Sequence, residues 1–364
     1  MSKIALEKLL DALKKVKDPD LGRDIVSLNM IKNISLTQNS LKFDLELTTP
    51  ACPMKDKMKA DCEDIIKKTF PELKEIKINL TSNVTRSSRL NLNTLLPEVK
   101  NTIAVASGKG GVGKSSIAVN LAAALSKQGS KVGLIDADIY GPSIPLMLGV
   151  DSKPKLAQNE FTGKITPVEK YGIKLISIGF FIDDNNPVIW RGPMASGAIK
   201  QFLTDIEWGE LDYLIFDMPP GTGDIQLTLL QTIPLTGAVI VTTPQEVALI
   251  DARKGLRMFE RLNTPVLGIV ENMSYFIAPD TNKEYDIFGR GGGEKLAKEN
   301  NVSFLGSLPI DPRIRIGGDT GKPIVYDLAG TIYEKIIINI SQQLAAQISI
   351  VNYRKESTKL EIEL

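Results

Sequence analysis

The pattern of hydrophobic and polar positions changes near residue 100 and predicts a parallel sheet beyond it. There, short apolar runs rich in β-branched residues alternate with segments of helical spacing. Near-continuous apolar strands that alternate with helices are typical of a parallel sheet covered on both faces. We therefore predict an α/β fold with a doubly wound, mostly parallel sheet. Its predicted strands are Thr102–Ala106, Lys131–Ile135, Lys174–Ile178, Tyr213–Phe216, Ala238–Val241, Val266–Val270 and Phe304–Ser307.

The first 82 residues have a different pattern, which predicts a small α+β domain ahead of the sheet. Helical spacing marks its beginning, and strict alternation of apolar and polar positions marks one of its strands. The predicted elements are, in chain order, a helix between Ile4 and Val16, strands Met30–Leu36 and Leu41–Leu47, a helix Met54–Thr69 and a strand Glu75–Leu80.

The segment that follows this domain, residues 83–98, is polar and unpatterned. We therefore predict a linker at 83–98 that joins the small domain, residues 1–82, to the larger domain, residues 99–348. The final helix is predicted to end near Ile348, and residues 349–364 are predicted to form a frayed, charged tail.

Composition and charge restrict the classes of function. The 44 Lys and Arg residues balance the 43 Asp and Glu residues, which argues against bulk attraction to nucleic acid or to anionic lipid. No stretch approaches the ~20 apolar residues of a membrane span, and the N-terminus lacks the apolar run of a signal peptide. The two cysteines, Cys52 and Cys62, favour a reducing cytoplasm over a disulfide framework. The absence of histidine excludes any mechanism that needs a histidine base.

The loop after the first strand of the larger domain carries a phosphate-binding pattern. It reads SGKGGVGKSS and satisfies G-x-x-x-x-G-K-[ST]. Glycines let backbone N–H groups approach phosphate oxygens, and the N-terminus of the next helix favours an anion. The lysine supplies a charge to the β- and γ-phosphates, and the serine hydroxyl is placed to ligate Mg²⁺. We therefore predict that ATP and Mg²⁺ bind a P-loop made of Gly108, Lys109, Gly110, Gly111, Val112, Gly113, Lys114, Ser115 and Ser116.

The same glycines also spell G-x-G-x-x-G, the fingerprint of a dinucleotide site. Asp136 and Asp138 follow roughly 20 residues later, where such a site places an acid. A dinucleotide site has no need of an ammonium after its last glycine, whereas a P-loop uses it. The Lys114–Ser115 pair therefore favours ATP.

Carboxylates follow two of the predicted strands. Asp136 and Asp138 end one strand, and Asp217 ends another, directly before the glycine-containing run PPGTGD. Because ligands bind at the carboxyl ends of parallel strands, both clusters should lie beside the P-loop. Asp217 is predicted to hold Mg²⁺, and Asp136 is predicted to support the metal or the loop geometry.

A second lysine, Lys109, distinguishes this loop from an ordinary P-loop. The run KGGVGKS resembles the deviant Walker A loop of the MinD, ParA and nitrogenase iron-protein class. In that class the extra lysine crosses a dimer interface to the partner's nucleotide, so the resemblance implies a homodimer in which Lys109 and Lys114 both serve catalysis. It also implies that Asp138 positions the attacking water.

Two further segments are candidates for contacts to the base. In the class that the loop resembles, the counterpart of Asn272 contacts the adenine. Asn272 ends another predicted strand, in GIVENMSYF. Pro309 and Asp311, in LPIDPRIR, follow the next strand and are candidates for lining the base pocket.

Five segments together resemble the Mrp/ApbC family of iron–sulfur cluster carriers. They read SGKGGVGKSS, DADIYGPSIPLMLG, WRGPM, DMPPGTGD and ENMSYF. In the first domain, DPDLGRDIVSLNMI and LTTPACPMKD resemble the MIP18-like (DUF59) domain that precedes the ATPase in many such proteins. The resemblance implies a slow P-loop ATPase that binds iron–sulfur clusters or delivers them, with apoproteins and assembly factors as partners.

The sequence departs from the family pattern at the cluster ligands. Many members carry C-x-x-C soon after ENMSYF, so that a dimer can hold one [4Fe–4S] cluster. Ala278 and Thr281 stand at those positions here, and neither ligates iron. A thiol near a helix N-terminus tends toward the thiolate, which makes Cys52 the candidate for an iron–sulfur contact.

Three alternatives to an iron–sulfur carrier stay open, the first being a protein that has diverged to another cargo. An ATPase scaffold without a bound cluster would recruit a partner that holds it. A MinD- or ParA-like positioning ATPase would need an amphipathic membrane-targeting end or a basic DNA surface, which the near-neutral charge disfavours. An electron-transfer reductase would need cluster cysteines that the sequence lacks.

Overall fold

A computed structural model describes residues 3–37, 39–88, 95–182 and 192–362 of the chain. The chain divides into two compact units. The first comprises Met1–Thr85 together with Ala345–Leu364, and the second comprises Arg86–Leu344.

The first unit contains a three-stranded sheet with helices beside it, as the α+β pattern predicts. β1 pairs antiparallel with β2, and β2 pairs parallel with β3. The alternation along β2 places Leu41, Phe43, Leu45 and Leu47 in the core of this unit. The elements are α1 (Lys3–Leu13), β1 (Ile31–Leu36), β2 (Ser40–Leu47), α2 (Lys55–Thr69) and β3 (Glu75–Ser82).

The second unit contains an eight-stranded sheet in the described chain, and all seven predicted strands belong to it. The strand order is β13-β10-β9-β4-β8-β5-β7-β6. Every pair is parallel except β6 with β7, which is antiparallel. The strands are β4 (Val99–Ala106), β5 (Val132–Asp136), β6 (Val168–Lys170), β7 (Ile173–Ser177), β8 (Leu211–Asp217), β9 (Gly237–Thr242), β10 (Val266–Glu271) and β13 (Phe304–Ser307).

The helices of the second unit connect these strands and bury apolar side chains against the sheet. Strand β4 lies between β8 and β9, where the order of the chain reverses direction across the sheet. Such a switch point opens a crevice at the carboxyl ends of the strands. The helices are α3 (Lys114–Lys127), α4 (Ile144–Leu148), α5 (Gly192–Thr204), α6 (Asp224–Thr232), α7 (Glu246–Arg261), α8 (Gly292–Glu299), α9 (Pro312–Asp319) and α10 (Ile324–Asp327). The last helix, α11 (Ile332–Ile362), begins in the second unit, and its residues from Ala345 onward belong to the first.

Three short strands were not predicted, because two or three residues are too few to show periodicity. They are the edge strand β6 and a small hairpin formed by β11 (Phe276–Ile277) and β12 (Glu284–Tyr285). The hairpin follows β10 and is antiparallel.

The predicted end of the last helix near Ile348 is wrong, because α11 continues to Ile362. No glycine or proline follows Ile348, and the remaining charged residues are mostly good helix formers. Ser349 and Asn352 are buried, and the Asn352 amide donates to the Thr85 carbonyl at 2.9 Å within the first unit. The predicted charged tail is therefore helical over residues 349–362.

The predicted linker, residues 83–98, makes hydrogen bonds in the part that the structure describes, residues 83–88 and 95–98. The Asn83 N–H donates to the Leu47 carbonyl, and the Arg86 guanidinium donates to the Leu96 and Val99 carbonyls. Residues 89–94, and Trp190 and Arg191 of WRGPM, lie outside the described residues. Within the ranges that the structure covers, no helix is both long enough and apolar enough to cross a membrane.

Candidate nucleotide-binding site

The P-loop leaves the central strand β4 and ends where α3 begins, at Lys114. Gly108 packs directly against the backbone of α7, because a Cβ at that position would lie 2.1 Å from the Asp251 carbonyl carbon. Gly113 has a φ of 82° and adjoins the side chain of Asn272. Both positions therefore require glycine, one for a close approach of two backbones and one for its left-handed conformation.

Lys114 joins the two acidic clusters. Its Nζ lies 2.6 Å from Asp217 Oδ1 and 3.4 Å from Asp138 Oδ2, and it is 3.2 Å from the Ser115 hydroxyl. The lysine and both carboxylates are buried. The fold thus brings together three residues that the sequence assigns to the site: Lys114 from α3, Asp217 from β8 and Asp138 from the segment after β5.

Asp217 has one carboxylate oxygen that is satisfied by Lys114 and one that is not. Its Oδ2 atom is buried and has no hydrogen-bond partner in the described chain. Burial raises the pKa of Asp217, and the Lys114 ammonium opposes that rise. An orphaned buried carboxylate oxygen next to a P-loop serine fits the donor set of a magnesium–nucleotide complex. Asp217 and Ser115 are therefore the residues that would hold Mg²⁺.

The Asp136 carboxylate accepts hydrogen bonds from neighbouring residues. The Ser177 hydroxyl donates to its Oδ2 at 2.9 Å, and the N–H groups of Ile144 and Asp138 each donate at 3.3 Å. Asp136 lies opposite Asp217 in the register of β5 and β8. Burial, and then the neighbouring Asp217, raise the pKa of Asp136. Of the two roles predicted for Asp136, these bonds support the shaping of the loop that carries Asp138.

Asn272 supports the P-loop in this structure. Its Nδ2 atom donates to the Val112 carbonyl at 2.9 Å, and its side chain is buried. The predicted contact with adenine stays a prediction. The sequence alone did not indicate this brace, because it links residues that are 160 positions apart.

The segment with Pro309 and Asp311 runs beside the segment that follows Asn272. The Ser274 N–H donates to the Leu308 carbonyl, and the Ile310 N–H donates to the Tyr275 carbonyl. Asp311 itself caps α9 and is gripped by the Arg313 guanidinium at 2.7 and 2.9 Å. Burial acts to raise the pKa of Asp311, but bonds from Arg313 and Tyr333 outweigh it and lower the pKa to about 2.

The other loop residues are more open. Lys109, Gly110 and Gly111 are exposed, and Ser116 is half-buried. The exposed side chain of Lys109 extends from a loop whose backbone is held by the Ser107 hydroxyl, which donates to the Lys109 carbonyl at 3.0 Å. The role of Lys109 across a dimer interface stays a prediction.

Glu271 is a buried acid that sequence reasoning missed. It accepts hydrogen bonds from the N–H groups of Gly291 and Gly293, at 3.0 and 2.6 Å, and from the Ser274 hydroxyl at 2.5 Å. The sequence feature that could have indicated it is a charged residue at the end of the apolar strand β10. Glu271 thereby closes the segment from Asn272 to Gly291, which contains the β11–β12 hairpin.

The cysteines do not have the character that the sequence suggested. Cys52 and Cys62 are both buried in the core of the first unit. Burial raises the pKa of Cys52 to about 11 and that of Cys62 to about 12. Burial thus acts on Cys52 in the direction opposite to the thiolate expected of a thiol near a helix N-terminus, since α2 begins three residues later. Within the described residues, no group of three or more acidic, cysteine or histidine side chains could hold a metal ion.

Ala278 and Thr281 lie in the turn between β11 and β12. The Ala278 N–H donates to the Lys283 carbonyl, and the Asn282 N–H donates to the Ala278 carbonyl. Ala278 is buried and Thr281 is exposed. The turn therefore closes through backbone bonds and needs no ligand at these two positions.

The parallel sheet, the glycine loop at its switch point and the Lys114–carboxylate cluster define a P-loop NTPase. Residues 98–345 match the ParA group described as NUBPL iron-transfer P-loop NTPase, and residues 6–80 match a family described as iron-sulfur cluster assembly protein. The chain belongs to the NUBPL iron-transfer P-loop NTPase family.

Named relatives agree with this assignment. An iron-sulfur cluster carrier protein of Synechocystis is 49% identical over 349 residues, covering 95% of this chain and 99% of the relative. A chloroplastic Fe-S cluster assembly factor of Arabidopsis thaliana, HCF101, is 45% identical over 347 residues, covering 93% of this chain and 64% of the relative.

Solved structures resemble about two thirds of the chain. A nucleotide-binding protein from Archaeoglobus fulgidus, in complex with ADP, is 41% identical with a TM-score of 0.57, covering 65% of this chain and 93% of the other. The cell division ATPase MinD of Pyrococcus furiosus is 22% identical with a TM-score of 0.52, covering 67% of this chain and 98% of the other. The likeness to MinD concerns the fold alone.

Proposed function

We propose that this chain is a cytoplasmic, ATP-hydrolysing iron–sulfur cluster carrier or assembly protein that acts as a homodimer. The observation that carries the proposal is the convergence of Lys114 on Asp217 and Asp138 beside the P-loop. The names of the relatives add the cargo, iron–sulfur clusters delivered to apoproteins with the help of assembly factors.

The buried cluster supports a simple account of ATP hydrolysis. The Lys114 ammonium would transfer from the two carboxylates to the β- and γ-phosphates, while the loop amides cradle the phosphate oxygens. Mg²⁺, held by Ser115 and Asp217, would neutralise phosphate charge. Asp138, released from Lys114, would orient a water that attacks the γ-phosphorus as the bond to the β-bridging oxygen breaks, giving ADP and phosphate. Lys109 would reach the nucleotide of the partner subunit.

Calorimetry with Mg-ATP tests the nucleotide site. We expect saturable heat from the natural chain and none from Lys114→Ala, because the loop then lacks its phosphate-binding charge. Asp138→Ala should bind Mg-ATP but release phosphate at least about tenfold more slowly, as expected for a residue that acts in the chemical step.

Removing Lys114 also leaves two buried carboxylates without their cation, which costs about 3–5 kcal/mol for a buried pair. The thermal unfolding of each variant is therefore measured beside its titration. Ser115→Ala serves as a second variant, because it changes a residue of the site but keeps the ion pairs of Lys114 with Asp138 and Asp217. Equal heat from natural and folded Lys114→Ala chains would refute the site. Normal turnover by Asp138→Ala would refute its role with water.

The cargo poses a separate question, because the protein's own thiols do not fit a cluster held by exposed thiolates. Cys52 and Cys62 are buried, and burial raises the pKa of both thiols. Ala278 and Thr281 stand at the two positions where the family pattern has C-x-x-C. This observation favours the second candidate function, an ATPase scaffold whose partner holds the cluster.

Anaerobic purification followed by iron and sulfide analysis separates the two candidates. Bound iron and sulfide that fall in Cys52→Ala would establish direct carriage through the first unit. Protein that stays colourless after reconstitution with iron and sulfide, while still binding Mg-ATP, would establish the scaffold.

A further inference from the structure

A cavity of about 400 Å³ lies in the second unit between α7 and the beginning of α6 with the loop before it. A cavity of this size accommodates a large side chain or a short peptide segment. We call it the basic cavity, and its lining residues are Thr222, Leu227, Lys254, Arg257, Met258, Arg261 and Leu262.

The charges of the basic cavity are all positive. Lys254 pairs with Asp251 at 2.9 Å on its own helix. Arg257 and Arg261 are exposed, and neither makes an ion pair with any carboxylate in the ranges that the structure covers. Arginine presents a planar fork of donors that matches a carboxylate. The cavity therefore offers two arginines to carboxylates that the described chain does not supply.

The rest of the lining is apolar. Leu227, Met258 and Leu262 are half-buried and contribute hydrocarbon surface between the cations. The same face of α7 continues toward its N-terminus with Val247 and Ile250, which are 57% and 46% exposed. Apolar surface flanked by arginines is typical of the centre of a protein interface, where arginine and apolar anchors dominate the binding energy.

The basic cavity adjoins two parts of the nucleotide site. Thr222 belongs to the loop that follows Asp217, and the Gly221 N–H of that loop donates to the Ser107 carbonyl at 3.0 Å, just before the P-loop. The backbone of α7 at Asp251 contacts Gly108, the first glycine of the P-loop. An occupant of the cavity would therefore touch both a loop and a helix that contact the P-loop.

We propose that the basic cavity is the docking site for an acidic segment of a partner protein, in which an apolar side chain is flanked by carboxylates. Charge complementarity selects this occupant, because Arg257 and Arg261 bind carboxylates while the apolar side chain packs between Leu227, Met258 and Leu262. The position of the site lets the partner sense, through Thr222 and α7, how the P-loop is arranged.

Fluorescence anisotropy with the full chain tests the proposal, without nucleotide, so that the outcome is independent of ATP hydrolysis. The probe is a labelled twelve-residue peptide with a central leucine flanked by glutamates, and its partner probe has glutamine in place of each glutamate. We expect saturable binding of the acidic peptide and binding weaker by about tenfold or more for the glutamine peptide.

Charge-reversed variants locate the binding. Arg257→Glu combined with Arg261→Glu should weaken the binding of the acidic peptide by about tenfold or more. The same variant should gain binding to a peptide with lysines in place of the glutamates. The matched control, Lys298→Glu combined with Lys335→Glu, makes the same change of net charge at exposed sites outside the cavity and should stay within about twofold.

Three outcomes would overturn the proposal. The first is a natural chain that binds no acidic peptide, and the second is equal loss of binding in the cavity variant and the control. The third is a change in the oligomeric state of the peptide-free cavity variant in sedimentation, which would show that a second copy of this chain covers the cavity.

Discussion

Replacing Gly108 with alanine should destabilise the second unit more than the same change two residues later. The added Cβ would lie 2.1 Å from the Asp251 carbonyl carbon and 2.2 Å from its oxygen, whereas ordinary contacts begin near 3.4 Å. These atoms are backbone, so they cannot rotate away, and the P-loop and α7 must separate. Overpacking of this kind costs about 1–3 kcal/mol. For a unit of this size that corresponds to a fall in Tm of about 2–12 °C.

The control is Gly110→Ala, in the same loop. A Cβ there meets nothing within 4 Å, and the backbone does not have a positive φ. Alanine restricts the unfolded chain, so the free energy of unfolding should stay equal or rise by up to about 1 kcal/mol. Thermal unfolding followed by circular dichroism, without nucleotide, compares the two variants. If Gly108→Ala unfolds at the same temperature as Gly110→Ala, the contact between the P-loop and α7 is not tight.

Three further predictions concern the brace, the thiols and a helix cap. Asn272→Ala should lower the free energy of unfolding by about 0.5–1.5 kcal/mol and weaken the binding of Mg-ADP in calorimetry. Asn272→Asp should lower both further, because it sets a carboxylate against the Val112 carbonyl. An Asp variant that binds Mg-ADP like the natural chain would contradict the support that Asn272 gives the P-loop. At pH 8, iodoacetamide should alkylate native Cys52 about 100-fold more slowly than in urea, since its pKa stands near 11 instead of 9.0, and comparable rates by mass spectrometry would contradict its burial. Asp311→Ala should cost about 1 kcal/mol at pH 7. Because the pKa of Asp311 is lowered from 3.8 to about 2, this difference should shrink as pH falls from 3.8 toward 2, where about half of the folded carboxyl is protonated. A difference as large at pH 2 as at pH 7 in urea unfolding would assign it to packing.

The parts of the site that follow chain order could be predicted, because strand periodicity fixes where a strand ends. Lys114 and Asp138 follow strands of a parallel sheet and Asp217 ends one, so the strand positions alone predicted that all three lie at one edge of the sheet. The seven main strands could be predicted because short, largely apolar runs between helical segments indicate buried strands.

What could not be predicted depends on which distant segments pack together. The Asn272 amide reaches Val112, and α7 lies on Gly108, through contacts that no local pattern encodes. Cys52 looked like a reactive thiol from its place before a helix, but the core of the first unit enclosed it and desolvation prevailed. The helical end of α11 was missed because its charged composition resembles that of a free tail.

A single carboxylate secures the stretch that carries Ala278 and Thr281. Glu271 holds Ser274 near one end and the amides of Gly291 and Gly293 at the other, and the turn between them closes through main-chain bonds. The shape of the stretch therefore does not depend on the exposed side chain of Thr281. A substitution at that position can change the surface that the turn offers to a partner without disturbing the nucleotide site.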